Sequence, residues 1–257
     1  MPAPPFEIIC EIEPATRPDL VHVRHQIGVL SPVSSAFLIP DNHIGRATVS
    51  SIAVAHEVRL MGGRAIACIN ARDRNVLGFR RDLLTAAAYG VTEVLFVYGD
   101  RPETGARSDD LTVRTMIAEA RAFAGTTDGD GAFRIGVATG LGQIPAWKEE
   151  ADFLLTQVSF SAGDLVEWRR SVEFDGPVFA GVLVLASSSM ARKLSVDIPQ
   201  LTVPESIVDR LDHHRDAGVD IASDLIVALR ESKAFDGIHL IPVTRYREMA
   251  ARLEVLL

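Results

Sequence analysis

Acid and amide side chains recur where apolar runs break off, and their types suit proton transfer to a ring nitrogen. Glu11 and Glu13 follow "EIIC", Asp41 and Asn42 follow "FLIP", and Asn70, Arg72 and Asp73 follow "AIACI". Asp100 closes the stretch "EVLFVYGDRP" and Gln157 ends "DFLLTQ"; Thr139, Ser187 to Ser189 and Arg245 end three further runs. A glutamic acid can protonate a nitrogen, while a carboxylate with an amide complements the donor–acceptor edge of a heterocycle. Each residue also has a structural reading. Glu11 could be a salt-bridged barrel residue, Glu13 reads as structural, and Arg72–Asp73 reads as a local ion pair shaping its loop. Asn70 suits a ligand contact or a strut equally. Arg101 could meet an anionic tail or phosphates through its guanidinium fork, and His43 could contact a cofactor beside Asp41.

Other chemistries fit less well. No serine sits in a nucleophile elbow and no strand end supplies a histidine, which argues against serine hydrolysis. His213 and His214 are adjacent in a helical pattern and so diverge, which argues against a metal site. "GLGQIP" at 140–145 lacks the third glycine of a dinucleotide loop, and "TTDGDGAF" at 126–133 lacks the closing glutamate of a calcium loop and reads as a solvated turn. Cys10 and Cys68 lie inside apolar runs and read as inert packing thiols.

The elements that must carry these residues alternate between short apolar runs and longer amphipathic segments. Strands are expected at 7–12, 33–39, 64–70, 93–98, 133–138, 152–157, 177–185 and 237–241. Most are apolar without strict alternation, as in parallel strands covered on both faces. Leu83, Leu84, Ala87 and Ala88 are expected to face inward on a helix stopping at Gly90; Tyr246, Met249, Ala250, Leu253 and Leu257 do so on the last helix. Trp147 and Trp168 read as packing residues. Eight strands, each followed by a helix, with no linker or repeat, predict a single-domain (β/α)₈ barrel over 1–257 rather than an open doubly wound sheet. The segment 202–232 reads as two helices before the last strand. In such a barrel the C-terminal strand ends form the active site.

The 257 residues are 47% hydrophobic and 23% charged, with net charge −8. That supports a sizeable core and argues against a nucleic-acid or anionic-membrane partner. No signal peptide is expected, because two acids interrupt the first apolar run, and no run approaches the roughly 18 residues of a membrane span. A cytoplasmic protein is the expectation; a homo-oligomer is compatible with the sequence.

Several segments together resemble the methylenetetrahydrofolate reductase family, in the right order and across nearly the whole chain. "CEIEPA" at 10–15 is similar to the family's first-strand FEFFPP, "INARDRN" at 69–75 to its third-strand segment, and "AAAYGVTEVLFVYGDRP" to the region ending in GDxP. "EEADFLLTQVSF" at 149–160 matches the "AD…TQ" segment, and "GPVFAGVLVLASSSMARKL" resembles the seventh strand and the segment after it. The resemblance implies a (β/α)₈ barrel acting on 5,10-methylenetetrahydrofolate, with Glu11 as proton donor and with Asp100 and Gln157 hydrogen-bonding the pterin. In the family a flavin relays hydride from NAD(P)H, and here its residues are largely replaced. VTYGA becomes "IPDNHIG", the histidine of HLTC falls on Cys68, the arginine before GD falls on Tyr98, and "TGLGQIPAW" replaces a longer histidine-bearing loop. A family phenylalanine aligns near Ser188, whereas Lys148 matches a lysine that contacts the flavin phosphates. The resemblance therefore leaves three readings: direct reduction by NAD(P)H or a deazaflavin without FAD, FAD held by different residues, or folate binding for a non-redox one-carbon role with a partner. Lys148, Tyr98, His43 and Arg101 are the candidates for holding a cofactor.

Overall fold

The computed structural model describes residues 5–124, 132–198 and 201–256. Most of the expected turn at 126–133 lies outside these residues, as does Leu257. Eight parallel strands close into a barrel in sequence order: β1 (Glu7–Glu11), β2 (Ala36–Ile39), β3 (Ala65–Asn70), β4 (Glu93–Val97), β5 (Arg134–Thr139), β6 (Phe153–Val158), β7 (Val178–Leu183) and β8 (Gly237–Ile241). The expected (β/α)₈ architecture is the one observed. The helices are α1 (Val21–Leu30), α2 (Ser51–Leu60), α3 (Val76–Ala88), α4 (Val113–Ala124), α5 (Ala162–Ser171), α6 (Ser188–Asp197), α7 (Glu205–His213), α8 (Ala217–Ser232) and α9 (Tyr246–Leu256). Among the described residues no helix is long and apolar enough to cross a membrane.

Three expectations need correction. β5 is followed by a single 3-10 turn, Ala146–Glu150, because Pro145 and the glycines of "TGLGQIPAW" leave no run long enough for an α-helix. β2 starts at Ala36, since Ser35 has turned its hydroxyl to accept from the Ile8 N–H at 3.1 Å instead of extending the strand. The inward face of α3 is Phe79, Leu83 and Ala86, while Leu84 and Ala88 are exposed. A run of leucines and alanines fits two neighbouring helical stripes equally well, and Phe79 decides between them.

Two apolar layers sandwich the strands. Outward side chains such as Ile8, Cys10, Phe96 and Val137 pack under the helices. Inward side chains, including Ile9, Leu38, Ile66, Cys68, Leu95, Leu155 and the edge-on pair Phe153–Phe179, fill the barrel. Gly136 makes this filling possible, because a Cβ there would lie 2.2 Å from the Phe153 ring. A third small core under α6, α7 and α8, built on Leu185, Val203, Ile207 and Val208, anchors the two-helix elaboration expected at 202–232 beside the C-terminal rim.

The ends of the barrel are finished differently. At the N-terminal end Arg64 reaches Glu7 at 2.8 Å and Glu93 at 2.9 Å, and Arg134 reaches Glu93 at 2.6 Å. Arg134 also covers the Phe153 ring. These charges close the base, and the strands deliver their remaining polar residues to the opposite end.

Candidate functional site

The C-terminal mouth holds a cavity of about 520 Å³, within the range of small-molecule sites. Glu11 lies at its wall beside apolar Leu38, Leu95 and Leu155. β1 puts it there because Glu7, Ile9 and Glu11 share the inward face. Its carboxylate is 15% exposed and stands 3.1 Å from His239 Nε2 on β8, itself 9% exposed. Asp41, His43, Asp100 and Gln157 line the same cavity.

Gln157 faces the cavity from an irregular stretch of β6. Leu155 pairs with Phe179 but Val158 pairs with Gly181, so β6 holds one residue more than β7 over this step. The Thr156 hydroxyl accepts from the Gly181 N–H at 3.0 Å, replacing a ladder bond the bulge removes. Beyond Gln157 a side cavity of about 460 Å³ runs past Phe160 to Leu201.

Asp100 is exposed at the lip, and one of its oxygens accepts from the Ile44 N–H at 2.9 Å. That bond pins an unusual turn, with Asn42 and Ile44 both at positive φ (48° and 58°). Left-handed geometry at a β-branched residue is strained, so the carboxylate contributes to holding the loop as well as facing the cavity. The Glu103 N–H donating to Gly45 O at 3.0 Å and the Arg46–Glu103 pair at 2.7 Å complete the link between the exits of β2 and β4. His43 belongs to this turn.

Asn70 is 1% exposed, and its amide is spent inside the chain. Its Nδ2 donates to Asp41 and to Asp73, each at 2.9 Å, and its Oδ1 accepts from the Asp73 N–H at 3.0 Å. Gly99, at φ +92°, packs against the Asn70 Cβ and lets the ends of β3 and β4 approach. Asn70 therefore braces the wall behind Asp41. The expected Arg72–Asp73 pair does not form. Asp73 is taken by Asn42 and Asn70, and Arg72 lies over the Tyr98 ring. Arg74 is the cation of this region, bonded to Asp41 at 2.6 Å and Asp82 at 2.9 Å.

Tyr98 and Lys148 stand outside the central cavity. They line a second one of about 610 Å³ with Arg114 and Trp147, which shares Val97 and Ala138 with the first. Lys148 Nζ donates to Ala138 O at 2.7 Å, and burial lowers its ammonium below the ordinary lysine range. The Tyr98 ring has the guanidiniums of Arg72 and Arg107 each 4.9 Å from its centre. Arg101 is exposed. Ser187 is the N-cap of α6, accepting from the Met190 N–H, and Arg245 binds Asp216 and Glu248. Trp168 is buried and donates to Gly142 O, a packing role as expected.

Both thiols are inert. Burial pushes Cys10 up to about 12, only slightly offset by Ser34. Burial, then the Glu11 and Asp41 carboxylates, push Cys68 well above the ordinary thiol range. Neither supplies a thiolate nucleophile. Among the described residues no group of three acids, histidines or cysteines could hold a metal ion.

His239 is the residue that sequence reasoning missed. Reading only strand ends gave no histidine, yet "GIHLI" carries one mid-strand. Counting by twos from Gly237 puts it on the inward face, a signal available in the sequence.

No protein-family model and no curated protein matches the chain. Solved structures share its fold at low identity. An uncharacterised protein from Clostridium thermocellum, described as binding two copies of 5-methyl-5,6,7,8-tetrahydrofolic acid, has a TM-score of 0.65 and 12% identity, covering 99% of this chain and 97% of that one. A spore cortex-lytic enzyme of Bacillus cereus has TM-score 0.57 and 10% identity, covering 98% and 75%. The EDTA monooxygenase of a Chelativorans species has TM-score 0.53 and 9% identity, covering 98% and 94%. At these identities the likeness is one of fold.

Proposed function

We propose that this barrel binds a reduced folate at its C-terminal mouth and reduces 5,10-methylenetetrahydrofolate to 5-methyltetrahydrofolate with NAD(P)H. The observation that carries the reading is that Glu11, Asp100 and Gln157, 146 residues apart in sequence from first to last (157 − 11), line one cavity. Its apolar wall at Leu38, Leu95 and Leu155 suits a flat heterocycle, and the folate-binding neighbour of the same fold supports the substrate class.

In this reading Asp100 and Gln157 orient the pterin edge, and Glu11 as the acid gives its proton to the bridging nitrogen N10. The methylene–N10 bond breaks, N5 shares its lone pair with the methylene carbon, and the resulting iminium accepts hydride from the nicotinamide. The Glu11 carboxylate then regains a proton from water. The second cavity, with Lys148, Arg114, Tyr98 and Trp147, suits the phosphates and a ring of the dinucleotide, while His43 lines the central cavity.

Flavin fits these residues poorly. Where the methylenetetrahydrofolate reductase family has a flavin-binding arginine this chain has Tyr98, and where it has a histidine this chain has Cys68, a buried neutral thiol. The hydride path of this reading therefore runs without FAD. A second reading, folate binding without hydride transfer in support of a methyltransferring partner, is favoured by the description of the Clostridium thermocellum neighbour as a binder. The test is to mix purified protein with methylenetetrahydrofolate and NADH, with and without FAD, and follow nicotinamide absorbance. Oxidation without flavin supports the reductase. Tight 5-methyltetrahydrofolate binding with no oxidation supports the second reading, and neither binding nor oxidation overturns both.

A further inference from the structure

We propose that His239 is the positioning residue of Glu11, aiming its carboxyl into the cavity and balancing its charge once the proton has left. The inference rests on the reductase reading and adds to it a residue with no counterpart among the strand-end acids and amides.

The geometry has three parts. First, the two side chains are neighbours by construction. Ile9 on β1 stands opposite His239 on β8, and Glu11 is the next inward residue along β1, so the barrel brings the acid over the imidazole. Second, His239 is buried and Glu11 only partly exposed, and His239 Nε2 has no hydrogen-bond partner among the described residues. The carboxylate oxygen at 3.1 Å lies off the line along which Nε2 would donate, so the contact is electrostatic and a small rotation of the carboxyl completes a hydrogen bond. A buried polar nitrogen left unpaired costs free energy, which biases the carboxyl toward that rotation. Third, among the described residues no competing donor serves Glu11 from the other walls. Cys68 on β3 is a neutral buried thiol and a weak donor, and Asp41 beyond β2 is an acid engaged by Arg74 and Asn70. The neighbouring wall is apolar at Leu38, Leu95 and Leu155.

An acid that must release a proton into such a wall would leave a poorly solvated anion. An N–H held beside it stabilises that anion and fixes which oxygen faces the substrate. His239 lines the same cavity, but a role exerted through Glu11 rather than through the folate makes its loss appear in turnover rather than in affinity.

The test compares His239→Gln with His239→Asn. The glutamine amide reaches as far as the imidazole Nε2, whereas the asparagine amide stops short of Glu11. Steady-state NADH oxidation with methylenetetrahydrofolate gives kcat and KM, titration with 5-methyltetrahydrofolate gives affinity, and thermal melting checks the fold. His239→Asn should lose about tenfold or more in kcat with KM and product affinity within about threefold, and His239→Gln should stay within about threefold of wild type throughout. Wild-type kcat in His239→Asn, or an equal loss in both variants, overturns the assignment. A loss of affinity matching the loss of kcat also overturns it, because His239 would then be a substrate contact. If the wild-type protein neither oxidises NADH nor binds the folate, the reductase reading fails and the assignment falls with it. Active wild type with indistinguishable variants removes the assignment alone.

Discussion

β1 carries two inward-facing glutamates, Glu7 and Glu11, at opposite ends of one short strand. The same residue type on the same face meets opposite surroundings. At the base, Glu7 joins Arg64, Glu93 and Arg134 in a chain of ion pairs in which each carboxylate faces a guanidinium at 2.6–2.9 Å. At the mouth, Glu11 has one imidazole slightly out of line and a cavity in front of it. The difference teaches that a carboxylate's role depends on what its neighbours leave unspent. The base is used for closure, whereas the mouth leaves Glu11 facing the cavity, where the proposed reaction uses it as the acid.

The contrast breaks most sharply under Glu11→Gln. Turnover should fall by about a hundredfold or more while 5-methyltetrahydrofolate affinity stays within about threefold and thermal stability does not drop. Kinetics with a parallel titration would check this, and near-normal turnover would return Glu11 to the structural class of Glu7. Next comes Asp100→Ala. It removes the proposed pterin contact and the pin on the Ile44 turn, so folate affinity should weaken about tenfold, with faster amide exchange at Ile44. Weakened affinity without faster exchange would mean that the turn holds without its pin.

At the base, Glu93→Gln should show the reverse pattern. It breaks pairs with two arginines at a largely buried carboxylate, so stability should fall by about 1–2 kcal/mol, read from a urea midpoint, with kcat and KM unchanged. A loss of activity there would join the two ends that the account keeps apart. The smallest effect belongs to Cys10, under the helices. Burial lifts its folded value to about 12 from an ordinary 9.0, so the unfolded thiol ionises first as pH rises. Its contribution is complete below pH 9 and is lost toward 12. Cys10→Ala should therefore flatten the fall in urea midpoint between about pH 8 and about pH 10.5.

The barrel was legible because eight apolar runs recur at helix-sized intervals, and the boundaries that slipped did so for local reasons. Ser34 and Ser35 resemble the start of β2 in apolar context, but their hydroxyls bind backbone groups. Leu84 resembles a core residue until Phe79 fixes the face of α3. At the site, Glu11, Asp100 and Gln157 could be found by asking which side chain ends each strand. His239 could not, since only strand parity reveals it. Asn70 and the pairing of Arg72 were illegible for a different reason. Which of several neighbouring amides, acids and guanidiniums bond one another depends on how the exits of β2, β3 and β4 meet, and no spacing within one segment encodes that.

The central claim is that the mouth passes hydride straight from a nicotinamide to a folate. It is tested most directly by supplying NADH dideuterated at C4 with methylenetetrahydrofolate, without flavin, and weighing the product. The account predicts 5-methyltetrahydrofolate with one deuterium in its methyl group. Unlabelled product, or none at all from protein that binds the folate, would contradict it.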